Sequence, residues 1–261
     1  MPSPELSTAL VRVATRDGIT TLTLNRAAKR NALSNELVAA LARGFDQLDS
    51  STKVVVLDAA GEHFCAGLDL GTMGDYDAVD GMRHSHTWHA AFHKIQFSGV
   101  PVIAALKGAV VGGGCELAAA CHIRVADDTA FFGLPEGTRG LFLGGSGSVR
   151  IPKLIGIARV TDMMLTGRVL KAAEAERVGL VQYHVPAGEA LAKALELAKK
   201  VAANAPTSNY AITNVLPRIC EQSAENGLLM ESMIAGMSQA APEAKQRMRA
   251  FIEGRAAKVQ A

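Results

Sequence analysis

A chain of 261 residues with a formal net charge of +2 is long enough for one large domain, or a main domain with a smaller appendage. So small a charge gives no basis for a nucleic-acid partner, and no apolar run reaches the roughly 20 residues that a membrane span requires. Cys65, Cys115, Cys121 and Cys220 lack C-x-x-C spacing and read as free thiols of a reducing compartment. The opening "MPSPELSTAL" has no basic region followed by an apolar core, so no secretory signal is expected and the cytosol is the expected setting.

Residues 9–15 ("ALVRVAT") and 19–25 ("ITTLTLN") are rich in β-branched residues, with period-two alternation in the second. "RDG" between them is a turn signal, so the pair predicts a hairpin. Ser34 is placed to cap a helix with Glu36 in its first turn. Apolar residues at 37, 38, 41, 45 and 48 form that helix's buried stripe. "KVVVLDA" (53–59) reads as a buried strand, 79–97 as a helix, and "PVIAAL" (101–106) as a second buried strand. The glycine stretch from 112 opens a short helix, "IRVAD" (123–127) is a strand, and 167–185 gives a short helix followed by a strand ending near Val185. Strands alternate with helices, which predicts an α/β class built of strand–strand–helix units.

Beyond about Gly188 strand signals vanish. "EALAKALELAKKVAANAP" (189–206) predicts an amphipathic helix stopped by Pro206, with two or three helices after it. Met230, Met233 and Met237 share one helical face, expected to be a packing stripe.

The stretch "VVGGGCELAAAC" (110–121) carries the first chemical signal. Glycine permits the positive φ of a tight turn and close approach to the backbone. The first amides of a helix lack intrahelical partners and sit at its positive end. Such a turn offers bare N–H groups to a phosphate or to an oxyanion formed during reaction. A dinucleotide fingerprint requires a third glycine where Leu117 stands. Standing alone, the stretch is also compatible with a tight turn in which Glu116 forms a buried hydrogen bond.

It does not stand alone. "FFGLPEGTRG" (131–140) holds a second isolated acid, Glu136, and "GEHFCAGLDL" (61–70) supplies a second turn at Ala66-Gly67-Leu68. Two turns with exposed amides and two lone carboxylates suit an enzyme that forms an enolate. A thioester oxygen takes two N–H donors as charge develops on it, and two carboxyls share acid–base work on a water.

Two other motifs stand out in the chain. His84, His86, His89 and His93 cluster, and His89/His93 have the i, i+4 spacing of metal ligands. No glutamate follows His89, so this is not the zinc-protease motif. The expected arrangement is a pocket-lining helix with Trp88 and Phe92 facing inward, and no metal. "GGSGS" around Ser146 lacks the preceding strand and triad partner of a nucleophile elbow.

"LNRAAKRNALS" (24–34), "HFCAGLDL" (63–70), "PVIAALKGAVVGGGCELAAACHIRVA" (101–126), "FFGLPEG" (131–137) and "MMLTGR" (163–168), in that order, resemble the crotonase family of enoyl-CoA hydratases and isomerases. The resemblance runs from about residue 10 to the C-terminus. It implies a spiral core of stacked strand–strand–helix units over 1–195 and a helical trimerisation domain over 196–261. It implies an acyl-CoA substrate, a trimer or dimer of trimers, and no cofactor beyond the coenzyme A of the substrate. Mapped residue by residue, the oxyanion donors are the amides of Leu68 and Gly113, and Glu116 and Glu136 match the two hydratase acids. Lys29 and Arg30 are implied to meet coenzyme A phosphates, with Ala66, Gly67 and Asp69 contributing nearby.

The loop 140–152 lacks the proline that hydratases commonly carry near Leu143. Leu141, Phe142 and Leu143 are expected to form an apolar wall of the acyl pocket. With "TDMMLTGR" (161–168) behind it, the loop is similar to that of bacterial hydratases of short or sulfur-bearing enoyl-CoAs such as methylthioacryloyl-CoA. Gly254 falls where family members carry a C-terminal lysine for the nucleotide, with Arg255 and Lys258 close by. Two other readings stand beside hydration: an enoyl-CoA isomerase using Glu136 alone, and an acyl-CoA or RNA binding protein without turnover.

Overall fold

The computed structural model describes residues 10–72 and 74–255; Lys258 lies outside them. β1 (Val11–Arg16) and β2 (Ile19–Leu24) form the expected antiparallel hairpin, with Arg16 opposite Ile19. Its two turn residues, Asp17 and Gly18, have φ of 53° and 75°, the sign that a two-residue turn needs to match strand twist. α1 (Asn35–Asp46) starts at Ser34, whose hydroxyl accepts from the Leu37 amide at 3.3 Å. Leu37, Val38, Leu41 and Phe45 are buried as the stripe predicted.

β3 (Val54–Ala59), α2 (Ala78–Gln96), β4 (Val102–Leu106), β5 (Ala109–Val111), α3 (Gly113–Ala120), β6 (Ile123–Asp127) and β7 (Phe131–Gly133) follow. Then come α4 (Gly147–Ile155), α5 (Ile157–Thr166), β8 (Val169–Lys171), α6 (Ala172–Arg177) and β9 (Tyr183–Val185). One sheet has the order β1-β2-β3-β4-β6-β9, parallel from β2 onward; a second has the order β5-β7-β8. β4 and β6 are each followed closely by a short strand of the second sheet, and after β3 a bridge from Cys65 to Val110 takes that place. This is the strand–strand–helix repeat read from the sequence.

Every residue of β3 is buried. Val55 and Leu57 face the main core with Leu22, Leu41 and Phe92, whereas Val54 and Val56 face a second cluster. α7 (Ala190–Ala202) closes that second face with Ala190, Ala194, Leu197 and Ala198. Burial on both faces is why these parallel strands read as continuous apolar runs. α7 spans position 195/196, the expected domain boundary, and packs on β3, β4 and β6.

Three expectations need correction. β5, β7 and β8 are strands of three residues each, too short to show a periodicity, and none of them is among the elements expected from the sequence. α7 ends at Ala202, ahead of Pro206; that proline opens α8 (Pro206–Tyr210) at a position where its missing N–H costs nothing. After a π-turn at Ala211–Val215 come α9 (Leu216–Ile219), α10 (Ala224–Ala240) and α11 (Pro242–Ile252). Among the described residues the methionine face of α10 is only partly covered: Met230 is half-buried, whereas Met233 and Met237 are 63% and 65% exposed.

Candidate active site

A cavity of about 250 Å³ opens where three turns and one helix meet. Its walls come from Ala66–Leu68, from Val111–Gly113 with Glu116, from the loop 136–145, and from His84, Ser85 and Trp88 of α2. The strands deliver each turn to this place. β5 runs straight into α3 through Gly112 (φ 53°), and the bridge between Cys65 and Val110 sets the 66–68 turn alongside.

Gly67 has φ of 96°, and a β-carbon there would stand 2.8 Å from the Val111 carbonyl oxygen. Only glycine lets the two turns lie this close. The Gly67 carbonyl accepts from Leu33 and the Asp69 amide donates to Leu33, which anchors the turn on both sides. Between them the amide of Leu68 goes to no backbone carbonyl among the described residues, and neither does that of Gly113, the first residue of α3. Both residues line the cavity.

Glu116 is 3% exposed. Its Oε1 accepts from the amides of Gly145 (2.9 Å) and Gly147 (2.7 Å). Burial pushes its carboxyl up to about 7; the two amides pull the other way, and the nearby charge of Glu136 adds to the rise. A β-carbon at position 147 would stand 2.6 Å from Glu116 Cγ, so that glycine is what admits the carboxylate to the turn. Glu136 lies at the end of the β7 segment and reaches the same cavity. Its Oε2 is buried with no partner. Burial raises this carboxyl too, opposed in part by the Arg139 guanidinium. Burial raises both carboxyls, that of Glu116 to about 7, as suits groups that exchange protons during a reaction.

The other predicted residues divide. Ala66, Gly67, Leu141 and Phe142 line the cavity, the last two as exposed apolar side chains at its mouth. Leu143 does not join that wall; it is 7% exposed and packs in the main core. Lys29, Arg30 and Asp69 do not line the cavity. Lys29 and Arg30 sit on an exposed turn at 27–30 whose last carbonyl, that of Arg30, accepts from the Ala66 amide at 3.0 Å. Asp69 pairs with Arg26 at 2.6 Å, and that hydrogen bond holds its carboxyl below the usual range. The Asp69 side chain thus ties the 66–70 turn to the 26–33 loop.

Trp88 and Phe92 face inward, at 3% and 0% exposure. His84 lines the cavity against Tyr76 and Trp88, and burial holds its imidazole below its ordinary value. Among the described residues no three His, Cys, Asp or Glu are grouped to hold a metal ion.

Arg26, Arg139 and the Gly145/Gly147 cradle escaped the sequence reading. The cradle had a signal: glycines alternating through "GGSG" present successive amides to an anion. The two arginines had none, because an isolated cation in a loop reads as solvated.

The family profile of enoyl-CoA hydratase/isomerase matches residues 14–260. The chain is 32% identical to the short-chain-enoyl-CoA hydratase of Clostridium acetobutylicum, over 91% of this chain and 92% of that protein. It is 33% identical to the 2,3-dehydroadipyl-CoA hydratase of Escherichia coli, over 93% and 95%. A crystal structure of a candidate enoyl-CoA hydratase from Rhodopseudomonas palustris superposes with a TM-score of 0.92 at 50% identity, covering 99% of this chain and all of that one. The spiral of strand–strand–helix units, the ordered motifs and these likenesses lead to one assignment: the chain is a member of the crotonase, or enoyl-CoA hydratase/isomerase, family.

Proposed function

We propose that this chain adds water across the 2,3 double bond of an enoyl-CoA thioester, with Glu116 and Glu136 as its acid–base pair. The observation that carries this reading is the meeting of a buried and a half-buried carboxyl at one cavity with the amides of Leu68 and Gly113. One glutamate takes a proton from water as its oxygen bonds to C3. The π electrons move to the thioester, whose oxygen becomes an enolate oxygen held by the two amides. A glutamate then returns a proton to C2, the enolate collapses, and the 3-hydroxyacyl thioester remains. Each amide donor contributes on the order of 3–4 kcal/mol in comparable oxyanion holes. Acid–base groups and backbone donors suffice, so the reading needs no cofactor beyond the coenzyme A of the substrate. Lys29 and Arg30 are placed by it near the coenzyme A phosphates as charge partners.

Hydration of crotonyl-CoA, followed by loss of the thioenoyl absorbance, tests the proposal. Glu116→Gln and Glu136→Gln should each lower kcat by about 10²–10⁴-fold. Full activity in Glu116→Gln would end the two-carboxylate mechanism. One observation favours a second reading, isomerisation of a 3-enoyl-CoA by Glu136 alone: Glu136 Oε2 has no partner, whereas two amides hold Glu116. That enzyme would move the double bond of 3-hexenoyl-CoA and leave crotonyl-CoA unhydrated.

The proposal extends to assembly. Leu229, Met233, Met237, Phe251 and Ile252 on α10 and α11 are all at least 60% exposed, an apolar surface larger than isolated surface residues account for. A trimer, or a dimer of trimers, built through these helices would cover it.

A further inference from the structure

We propose that Arg150 is a positioning residue for Glu116: through Ser146 it holds the Gly145–Ser146–Gly147 turn that grips the carboxylate. The proposal rests on the hydratase reading only for what Glu116 does, not for how it is held.

The turn is a cradle with a strained centre. Gly145 and Gly147 both donate to Glu116 Oε1. Ser146 between them has φ of 74° and ψ of 12°, the left-handed region that a residue with a β-carbon avoids. Such strain persists where surrounding contacts over-determine it, and it clusters at functional sites. Here the contacts are visible. Ser146 Oγ accepts from Arg150 Nη1 and donates to the Gly145 carbonyl. Arg150 Nε donates to Gln96 Oε1 at 2.7 Å. The Gln96 carbonyl in turn accepts from His122 Nε2 at 2.9 Å, and His122 Nδ1 accepts from the Val102 amide at 2.9 Å. Burial pushes His122 down to about 4, so it stays neutral and keeps this tautomer at neutral pH. A continuous chain of hydrogen bonds thus runs from β4 to the turn.

Arg150 does not line the cavity, so it touches no substrate there. It acts twice over. Its hydrogen bond fixes the two amides, and its charge favours the ionised form of Glu116 against burial. The other charged and titratable groups facing Glu116 are Glu136, the neutral Cys115 thiol that burial pushes up, and, across the cavity, His84 and Arg139. Among the described residues Arg150 alone is both a cation near Glu116 and a holder of the cradle.

Three variants separate the two actions, read by steady-state hydration of crotonyl-CoA and by ¹³C-carboxyl NMR titration of Glu116 assigned through Glu116→Gln. Arg150→Met should raise the Glu116 titration midpoint and lower kcat at least about tenfold, with KM within about twofold, as expected for a misplaced catalytic group. Arg150→Lys should return the midpoint toward wild type without restoring kcat, because an ammonium lacks the fork that spans Ser146 and Gln96. Ser146→Gly removes the hydroxyl but accepts the left-handed backbone. It should melt no lower than wild type and still lose about tenfold in kcat. If Arg150→Met does not fold, Ser146→Gly carries the test. Wild-type kcat in Ser146→Gly, or an unmoved midpoint in Arg150→Met, overturns the proposal. A shifted midpoint in a protein that hydrates no enoyl thioester would uphold the positioning role and remove the hydratase reading instead.

Discussion

Glu116→Gln should stabilise the fold, and should do so more as pH rises. In the folded chain the Glu116 carboxyl is pushed from 4.5 up to about 7, chiefly by burial. In the unfolded chain it regains its ordinary value. Between these values the folded state holds a proton that the unfolded state has released, so stability falls as pH rises through the window. At 1.36 kcal/mol per pH unit, the gap from 4.5 to about 7 amounts to about 3 kcal/mol, fully lost above pH 7. The group is 3% exposed, so solvent screening takes little from this figure. Glutamine keeps an oxygen to accept from Gly145 and Gly147 and carries no charge to desolvate. Urea unfolding of both proteins from pH 4.5 to pH 8 measures the difference. The variant's advantage should be near zero at the acid end, grow steadily, and level off at about 3 kcal/mol above pH 7, a sizeable part of a typical domain stability of about 5–15 kcal/mol. An advantage that does not change with pH, or a wild type that gains on the variant as pH rises, would refute the claim that burial raises this carboxyl.

Gly67→Ala should cost hydration at least about 10²-fold in kcat, because a β-carbon 2.8 Å from the Val111 oxygen must push the Leu68 amide away from its place; activity within twofold of wild type would show that the turn is not part of the oxyanion site. Arg139→Gln should move the Glu136 titration upward, since the guanidinium lowers that carboxyl; in the pH profile of kcat the limb owed to Glu136 should shift to higher pH, and an unchanged profile would refute the electrostatic link. Light scattering after size exclusion should give a mass of three or six chains, and Met233→Glu with Ile252→Glu should shift it toward one; a monomeric wild type would remove the assembly proposal.

How far the sequence reached depends on whether a feature is local. The β1–β2 hairpin, the Ser34 cap and the stripe of α1 were legible because each is set within a few residues of itself. β3 and β4 were legible because burial on both faces leaves an unbroken apolar run. β5, β7 and β8 were not, because a three-residue strand owes its existence to the partner it pairs with. Leu143 shows the same limit: it is as apolar as Leu141, yet one meets the core and the other the cavity mouth.

The sequence by itself determined the β1–β2 hairpin, α1, the buried strands β3 and β4, the two amide-bearing turns and the two isolated acids, since glycine conformation, capping and hydrophobic periodicity act over short stretches. Only the tertiary structure decided that Glu116 is gripped by amides 29 and 31 residues further along, that Arg26 holds Asp69, and that Arg150 stands behind Ser146. Those relations depend on how the turns of the spiral stack. Stacking is fixed by burial of the whole core, and no short window of residues contains it.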